Sequence, residues 1–254
     1  MMQFRRLLFI LLVATFHVGI TESQFIPIFD WISSFFGSYE QPGYTSVRNI
    51  TDQVEERIYP TSSWACSEQF ATPVTKDSKT AESFMTILRY IQGKNELGKK
   101  IEMTIPIVTK IDHRNGNLRS YEMCFFLPTE FQKSPPKPVD NRVKIVTYPP
   151  LRVYSKMYGG YSSQTVETSQ VASLSEVLRN QSIPYFEMRD GDRATYFVAG
   201  YDSPTKFWNR RNEVWLLSKD TPKSINHHFT TAVRQQGGDA TGEDAETSEM
   251  NEPV

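Results

Sequence analysis

The chain has 254 residues, of which 28 are basic and 29 acidic, so its formal net charge is −1. Six of the acidic residues and no basic ones lie beyond residue 236, which leaves a mildly basic body. This charge distribution falls well short of the basic surface that nucleic-acid binding requires, so no nucleic-acid partner is predicted.

The first residues have the layout of a secretory signal peptide. Arg5 and Arg6 precede an apolar run from Leu7 to Phe16, and small and polar residues follow it. The run is too short to span a bilayer of about 30 Å. We therefore predict a signal peptide over 1–23 and a secreted, extracellular protein without stable membrane insertion. A retained membrane anchor is the alternative interpretation.

Residues 24–42 form an aromatic-rich extension that contains Pro27 and Pro42. The extension can pack over the following domain, pair between subunits or touch a membrane surface. Packing is favoured, because the stretch has no basic face that would attract lipid headgroups.

The body of the chain, residues 43–220, is predicted to be one domain built from two halves with the same order of elements: a strand, a helix and two further strands. The predicted helices cover Lys79–Gln92 and Ser169–Arg179. The predicted strands cover Val54–Cys66, Ile101–Ile111, Arg119–Leu127, Val143–Tyr158, Arg193–Tyr201 and Glu213–Ser218. The proline-rich segment 134–138 is the predicted join between the halves.

Local patterns support these elements. Apolar residues at three-and-four spacing indicate one buried stripe on each helix, and Gly93 is suited to end the first helix in a left-handed conformation. Asn115 and Gly116 between two apolar segments predict a hairpin turn. Two helices packed on an antiparallel sheet make an α+β domain.

Two cysteines and two glycosylation sequons bear on the compartment. In an oxidising compartment Cys66 and Cys124 suggest a disulfide, whereas two buried free thiols are the alternative. Asn49 and Asn180 each begin a sequon and are possible N-glycosylation sites. Residues 221–254 are predicted to form a disordered acidic tail.

Five separated segments together make the sequence similar to the SOUL haem-binding protein family. They are YIQGKNE, MTIPIVTKI, SPPKP, MYGGYSS and the stretch AGYDSPTKF with NRRNEVWLL. The resemblance covers roughly Gly43 to Lys219. It implies a distorted eight-stranded antiparallel β-barrel with two helices, built from two β-α-β-β halves with pseudo-twofold symmetry.

The resemblance also implies a non-covalent haem site in a hydrophobic cleft formed by the apolar face of the first helix and neighbouring strands. The matching positions are Phe84, Met85 and Leu88 for the porphyrin ring, with Arg89 for its carboxylates. Ordinary core packing is the alternative role for these apolar side chains.

No metal site is predicted. Some family members carry a histidine at the position that Ile58 occupies here, and an isoleucine cannot ligate iron. The four histidines of the chain lie in the signal peptide, near the predicted turn and in the tail: His17, His113, His227 and His228. Haem is therefore expected to be held by its ring and carboxylates, and ligation of the iron by the tail histidines or by a methionine is the alternative.

The resemblance implies that the protein binds haem or a related tetrapyrrole, for carriage or scavenging outside the cell. The alternative is a secreted interaction protein that keeps the barrel without haem affinity. No catalytic residues are predicted, and Arg210, Arg211 and Glu213 are expected to form an exposed ion pair rather than an active site.

Overall fold

The computed structural model describes residues 39–72, 74–113, 118–186 and 195–221. The signal peptide, most of the aromatic extension, the Asn115–Gly116 turn and almost all of the acidic tail lie outside the described residues, so the predictions for them stay predictions.

The described residues form nine strands, two α-helices and one short 3-10 helix, Thr129–Phe131. The strands are β1 (Thr45–Thr51), β2 (Val54–Tyr59), β3 (Ser62–Ala71), β4 (Ile107–His113), β5 (Arg119–Phe126), β6 (Lys144–Tyr148), β7 (Leu151–Tyr158), β8 (Thr195–Gly200) and β9 (Asn212–Leu217). The helices are α1 (Lys76–Ile91) and α2 (Gln164–Asn180).

All strand pairs are antiparallel and belong to one sheet, in the order β1-β2-β7-β9-β8-β4-β5-β3-β6. The predicted α+β class and the repeated halves are confirmed. With β1 set aside, each half has two strands before its helix instead of one, and the described sheet has nine strands instead of eight and is not closed, which is compatible with a distorted barrel. The halves exchange strands: β2 of the first half pairs with β7 of the second, and β6 of the second pairs with β3 of the first. The sheet order is therefore symmetric about the β8–β4 pair once β1 is set aside.

Prolines divide two of the predicted strands, and the predicted strand Ile101–Ile111 begins only after Pro106, at Ile107. The predicted strand Val54–Cys66 is divided into β2 and β3 at Pro60, and Val143–Tyr158 is divided into β6 and β7 at Pro149 and Pro150. A proline lacks the N–H that a strand ladder needs. β1 was not predicted, because its side chains are nearly all exposed and show no apolar alternation.

The core has three parts that follow the two faces of the curved sheet. α1 covers β3 and β5 on one face, over a cluster that includes Ile87, Ile91 and Phe125. α2 covers β7 and β9 over a second cluster that includes Leu174 and Leu178. The opposite face carries a third cluster, which we call the inner cluster; its members include Trp64, Val153 and Trp215.

Cys66 on β3 stands directly opposite Cys124 on β5, and a disulfide joins them. The structure thus contains the disulfide and not the two free thiols. Neither α1 nor α2, the helices of the described ranges, has the length and apolar character that a membrane span requires.

Candidate functional site

The helix that carries the predicted haem-binding residues packs by one stripe and leaves another at the surface. Ile87 and Ile91 are buried against the sheet, and Leu88 is only 4 % exposed. Phe84 and Met85 are half-buried at the margin of the same cluster, and the Phe84 ring lies 5.5 Å from the Phe125 ring. The helix therefore presents part of an apolar stripe to solvent, with Leu88 beneath it.

The end of α1 is fixed as the sequence predicts. Gly93 follows the helix with a φ of +106°, and a Cβ there would lie 3.2 Å from the carbonyl oxygen of Gly98. Only glycine meets both requirements at low cost. This turn holds the last residues of α1, Arg89 included, in a defined orientation.

Arg89 is exposed at the last turn of α1. In the described part of the chain, its guanidinium has no hydrogen bond or ion pair. The nearby carboxylates already have a partner: Arg142 contacts Asp140 at 2.6 Å and Glu82 at 3.4 Å. The hydrogen bonds from Arg142 lower the pKa of Asp140. Arg89 is thus available to an anionic group placed beside the apolar stripe.

The described structure supplies no histidine side chain for iron. Ile58 is half-buried on β2 between Thr45 and Arg152. The backbone of His113 ends β4, but its side chain and the other three histidines lie outside the described residues. Donor atoms of Cys66, Glu122 and Cys124 lie within 4.8 Å of one another, yet the two sulfurs are bonded to each other and offer no thiolate.

A cleft of about 550 Å³ lies away from α1, between the end of β7 and the loop 201–211. Its apolar lining includes Ile105, Met157 and Tyr158, and its basic lining consists of Lys206, Arg210 and Arg211. Asp202 is the acidic residue among those that line it. The sequence did not predict this cleft, because its walls come from segments far apart along the chain.

The prediction that Arg210, Arg211 and Glu213 form an exposed ion pair is wrong, because the carboxylate of Glu213 is buried next to the cleft. Glu213 has no exposed surface, and its oxygens accept hydrogen bonds from four side chains: Arg57 Nη1 at 2.9 Å, Arg211 Nη2 at 2.6 Å, Trp215 Nε1 at 2.8 Å and Tyr201 Oη at 2.9 Å. The carboxylate therefore fixes the two cleft-lining residues Arg211 and Tyr201 in place.

The charges around Glu213 decide its protonation state. Burial by itself would raise the pKa of Glu213, but the positive charge of Arg57 and the hydrogen bonds from Arg211 outweigh it, and the pKa is lowered. Glu213 is thus an anion that Arg57 and Arg211 neutralise. Its hydrogen bonds hold the side chains of Arg211 and Tyr201 in the wall of the cleft.

The model of the SOUL heme-binding protein family matches residues 39–217, which include both halves of the sheet, α1 and the cleft. The chain belongs to the SOUL heme-binding protein family. Heme-binding protein 2 of Homo sapiens is 30 % identical over 192 residues, which are 74 % of this chain and 90 % of that protein. Heme-binding protein 1 of Mus musculus is 34 % identical over 165 residues, or 64 % and 83 % of the two chains.

The similarity to solved structures is more distant than that to the SOUL relatives. The structure of SAV2435 bound to tetraphenylphosphonium is 10 % identical and has a TM-score of 0.44, over 69 % of this SOUL chain and 99 % of that chain. The family assignment therefore depends on the sequence matches.

Proposed function

We propose that the mature protein binds haem or a related tetrapyrrole without a covalent bond, for carriage or scavenging outside the cell. The observation that carries the proposal is the family match over both halves, together with relatives named heme-binding proteins. The role proposed is binding rather than catalysis.

The proposed site is the surface stripe of α1. A macrocycle laid against Phe84 and Met85 would cover the part of their apolar surface that the fold leaves exposed, which stabilises the complex by about 25 cal/mol per Å². Leu88 is 4 % exposed and belongs to the core cluster under α1, so it offers the ring little surface of its own. Arg89, one turn along the helix, is placed to pair with a carboxylate of the ligand. The iron of a bound haem would supply redox and ligand chemistry. Phe84 and Met85 would contact the ring, and Arg89 would pair with a carboxylate of the haem.

Three features support secretion. The signal-peptide pattern precedes the domain, and the sequon asparagines Asn49 and Asn180 are both exposed, on β1 and at the end of α2. The disulfide between Cys66 and Cys124 is typical of an oxidising compartment. Together they favour a glycosylated extracellular protein.

Titration of the chain from Gln24 to Val254 with hemin tests the proposal. We expect a saturable shift of the Soret band at low micromolar hemin. Replacing Phe84 and Met85 by serine should weaken binding by about tenfold, because the ring loses apolar contact. Thermal unfolding of the same variant checks that the domain is intact. A band identical to that of free hemin would contradict haem binding and favour the interaction protein.

Arg89 provides a second, independent readout. Arg89→Gln should weaken binding of hemin by up to about fivefold and leave binding of hemin dimethyl ester unchanged, since the ester has no free carboxylates. Arg179→Gln is the matched control, because Arg179 lies exposed in the last turn of α2. Equal losses in the two variants would place the haem elsewhere.

A further inference from the structure

Four large hydrophobic side chains are exposed around the mouth of the cleft. Phe207 and Trp208 are 67 % and 75 % exposed, and Tyr161 and Met157 are 53 % and 46 % exposed. Met157 lines the cleft, and Phe207 and Trp208 lie between its lining residues Lys206 and Asn209. Each of the four side chains therefore lines the cleft, adjoins a lining residue in the chain or, as Tyr161 does, contacts the lining residue Arg210.

Basic groups line the same cleft. Three cations and one carboxylate line the cleft. The carboxylate, Asp202, is fully engaged: one oxygen accepts from Lys206 Nζ at 2.6 Å and the other from the Arg211 backbone N–H at 2.5 Å. Among the residues that the structure describes, Arg210 has no carboxylate partner. Lys206 is paired with Asp202 and Arg211 with Glu213, so Arg210 is the lining cation whose charge no carboxylate of the described residues neutralises.

The loop that presents these groups is held by its own polar contacts. The Arg210 guanidinium donates to the carbonyl oxygens of Ser203 and Lys206 at 2.6 and 2.8 Å, and it lies 4.6 Å from the centre of the Tyr161 ring. Arg211 in turn is anchored by Glu213. Because these contacts hold the loop in the unbound protein, Phe207 and Trp208 are exposed without a conformational change. Binding through them therefore loses little conformational entropy of the loop.

We infer that the loop 201–211 docks the protein reversibly on a membrane surface that contains anionic lipid. Tryptophan and phenylalanine are suited to the interfacial layer of a bilayer, and basic side chains beside them attract anionic headgroups. In this arrangement Phe207 and Trp208 enter the headgroup layer, and a lipid phosphate or carboxylate lies at the cleft mouth near Arg210. This surface is separate from the stripe of α1, so the inference stands independently of haem binding.

Cosedimentation of the mature chain with vesicles tests the inference. We expect binding to phosphatidylcholine vesicles that contain phosphatidylserine, weaker binding to phosphatidylcholine alone, and weakening by salt. The double substitution Phe207→Ser with Trp208→Ser should lower the partition coefficient at least about tenfold. The matched control is Leu97→Ser with Val139→Ser, two residues exposed by 58 % and 70 % elsewhere on the surface.

The electrostatic part has its own variant. Lys206→Gln should lower the partition coefficient about fivefold, which corresponds to about 1 kcal/mol for each basic residue near the surface. Lys99→Gln removes the same charge from an exposed site away from the cleft and should have little effect. Tryptophan emission should shift to the blue on adding vesicles in the wild type and not in Trp208→Phe.

Three results would overturn the inference. The first is vesicle binding that the double serine substitution leaves unchanged. The second is an equal loss in Lys206→Gln and Lys99→Gln. The third is a dimer, seen by light scattering, that the double serine substitution dissociates while vesicles bind neither protein, because the surface would then be an interface between two copies of the chain.

Discussion

Glu213 is a carboxylate without exposed surface in a cluster that also contains Arg57 and Arg211. Removing a charge from water is costly, and the cost is offset only when the partners and hydrogen bonds are all present. Here two guanidinium groups and the donors of Tyr201 and Trp215 supply them. Loss of Glu213 would therefore leave the buried Arg57 with Glu55 as its remaining carboxylate partner, at 2.7 Å, and would remove the partner of the partly exposed Arg211.

Glu213→Gln should lower the free energy of unfolding by about 3 kcal/mol, because the buried Arg57 would lose one of its two carboxylate partners and keep only Glu55. Urea unfolding near pH 7 measures the change. Glu82→Gln is the control: that carboxylate is 40 % exposed and pairs with Lys79 and Arg142, so its loss should cost less than about 1 kcal/mol. Equal effects in the two variants would contradict the role assigned to Glu213.

The lowered pKa of Glu213 also predicts a pH dependence. A carboxylate with a folded-state pKa below its ordinary value of 4.5 stabilises the fold above that value, and the stabilisation is lost as the pH falls through the folded-state pKa. Wild-type stability should therefore decline below about pH 4.5 more steeply than that of Glu213→Gln. Parallel stability curves would contradict this assignment.

At the scale of elements, the disulfide joins two neighbouring strands that are already paired. Cys66 and Cys124 are 58 positions apart along the chain and belong to the inner cluster. A cross-link that closes a loop of this length stabilises mainly by limiting the unfolded chain. Its effect on the native ladder between β3 and β5 should be small.

Replacing Cys66 and Cys124 together by alanine should lower the free energy of unfolding by about 4 kcal/mol while the domain stays folded. Reduction of the wild type under mild conditions is the control, since it removes the cross-link but keeps both side chains in the inner cluster. If reduction alone leaves the denaturation midpoint unchanged, the loss in the alanine variant comes from packing.

The sequence predicts those elements whose signal is local. Both helices follow from apolar spacing, and Gly93 ends α1 as predicted. The antiparallel pairing of β4 with β5 agrees with the hairpin predicted at Asn115 and Gly116, although that turn is outside the described residues. The exposed strand β1 and the two strand breaks at prolines were not predicted.

The candidate sites likewise differ in how far the sequence predicts them. The stripe of α1 can be read from one helix, and the structure places Phe84 and Met85 at its surface margin. The burial of Glu213 could not be read from the sequence, because Arg57 lies 156 positions away and reaches it only through the fold. The cleft likewise depends on segments that only the sheet topology brings together.

At the scale of the whole molecule, the two halves are not separate units. Each half contributes one strand to the partner's part of the sheet, and the inner cluster takes side chains from both. A buried ion pair also joins the two helices, with Lys76 Nζ of α1 2.7 Å from Glu167 Oε2 of α2. The two halves related by the pseudo-twofold symmetry therefore share one sheet and one inner cluster.

Fragments 39–138 and 139–221 should consequently fail to fold alone, because each lacks the partner of an exchanged strand and part of the inner cluster. Mixed in equal amounts they should form the native sheet, since the cut falls in the proline-rich join between β5 and β6. Far-UV circular dichroism and amide NMR spectra of each fragment and of the mixture measure this. The disulfide lies wholly within the first fragment and cannot hold the two together. A native-like spectrum from either fragment alone would show that strand exchange is not required for its stability.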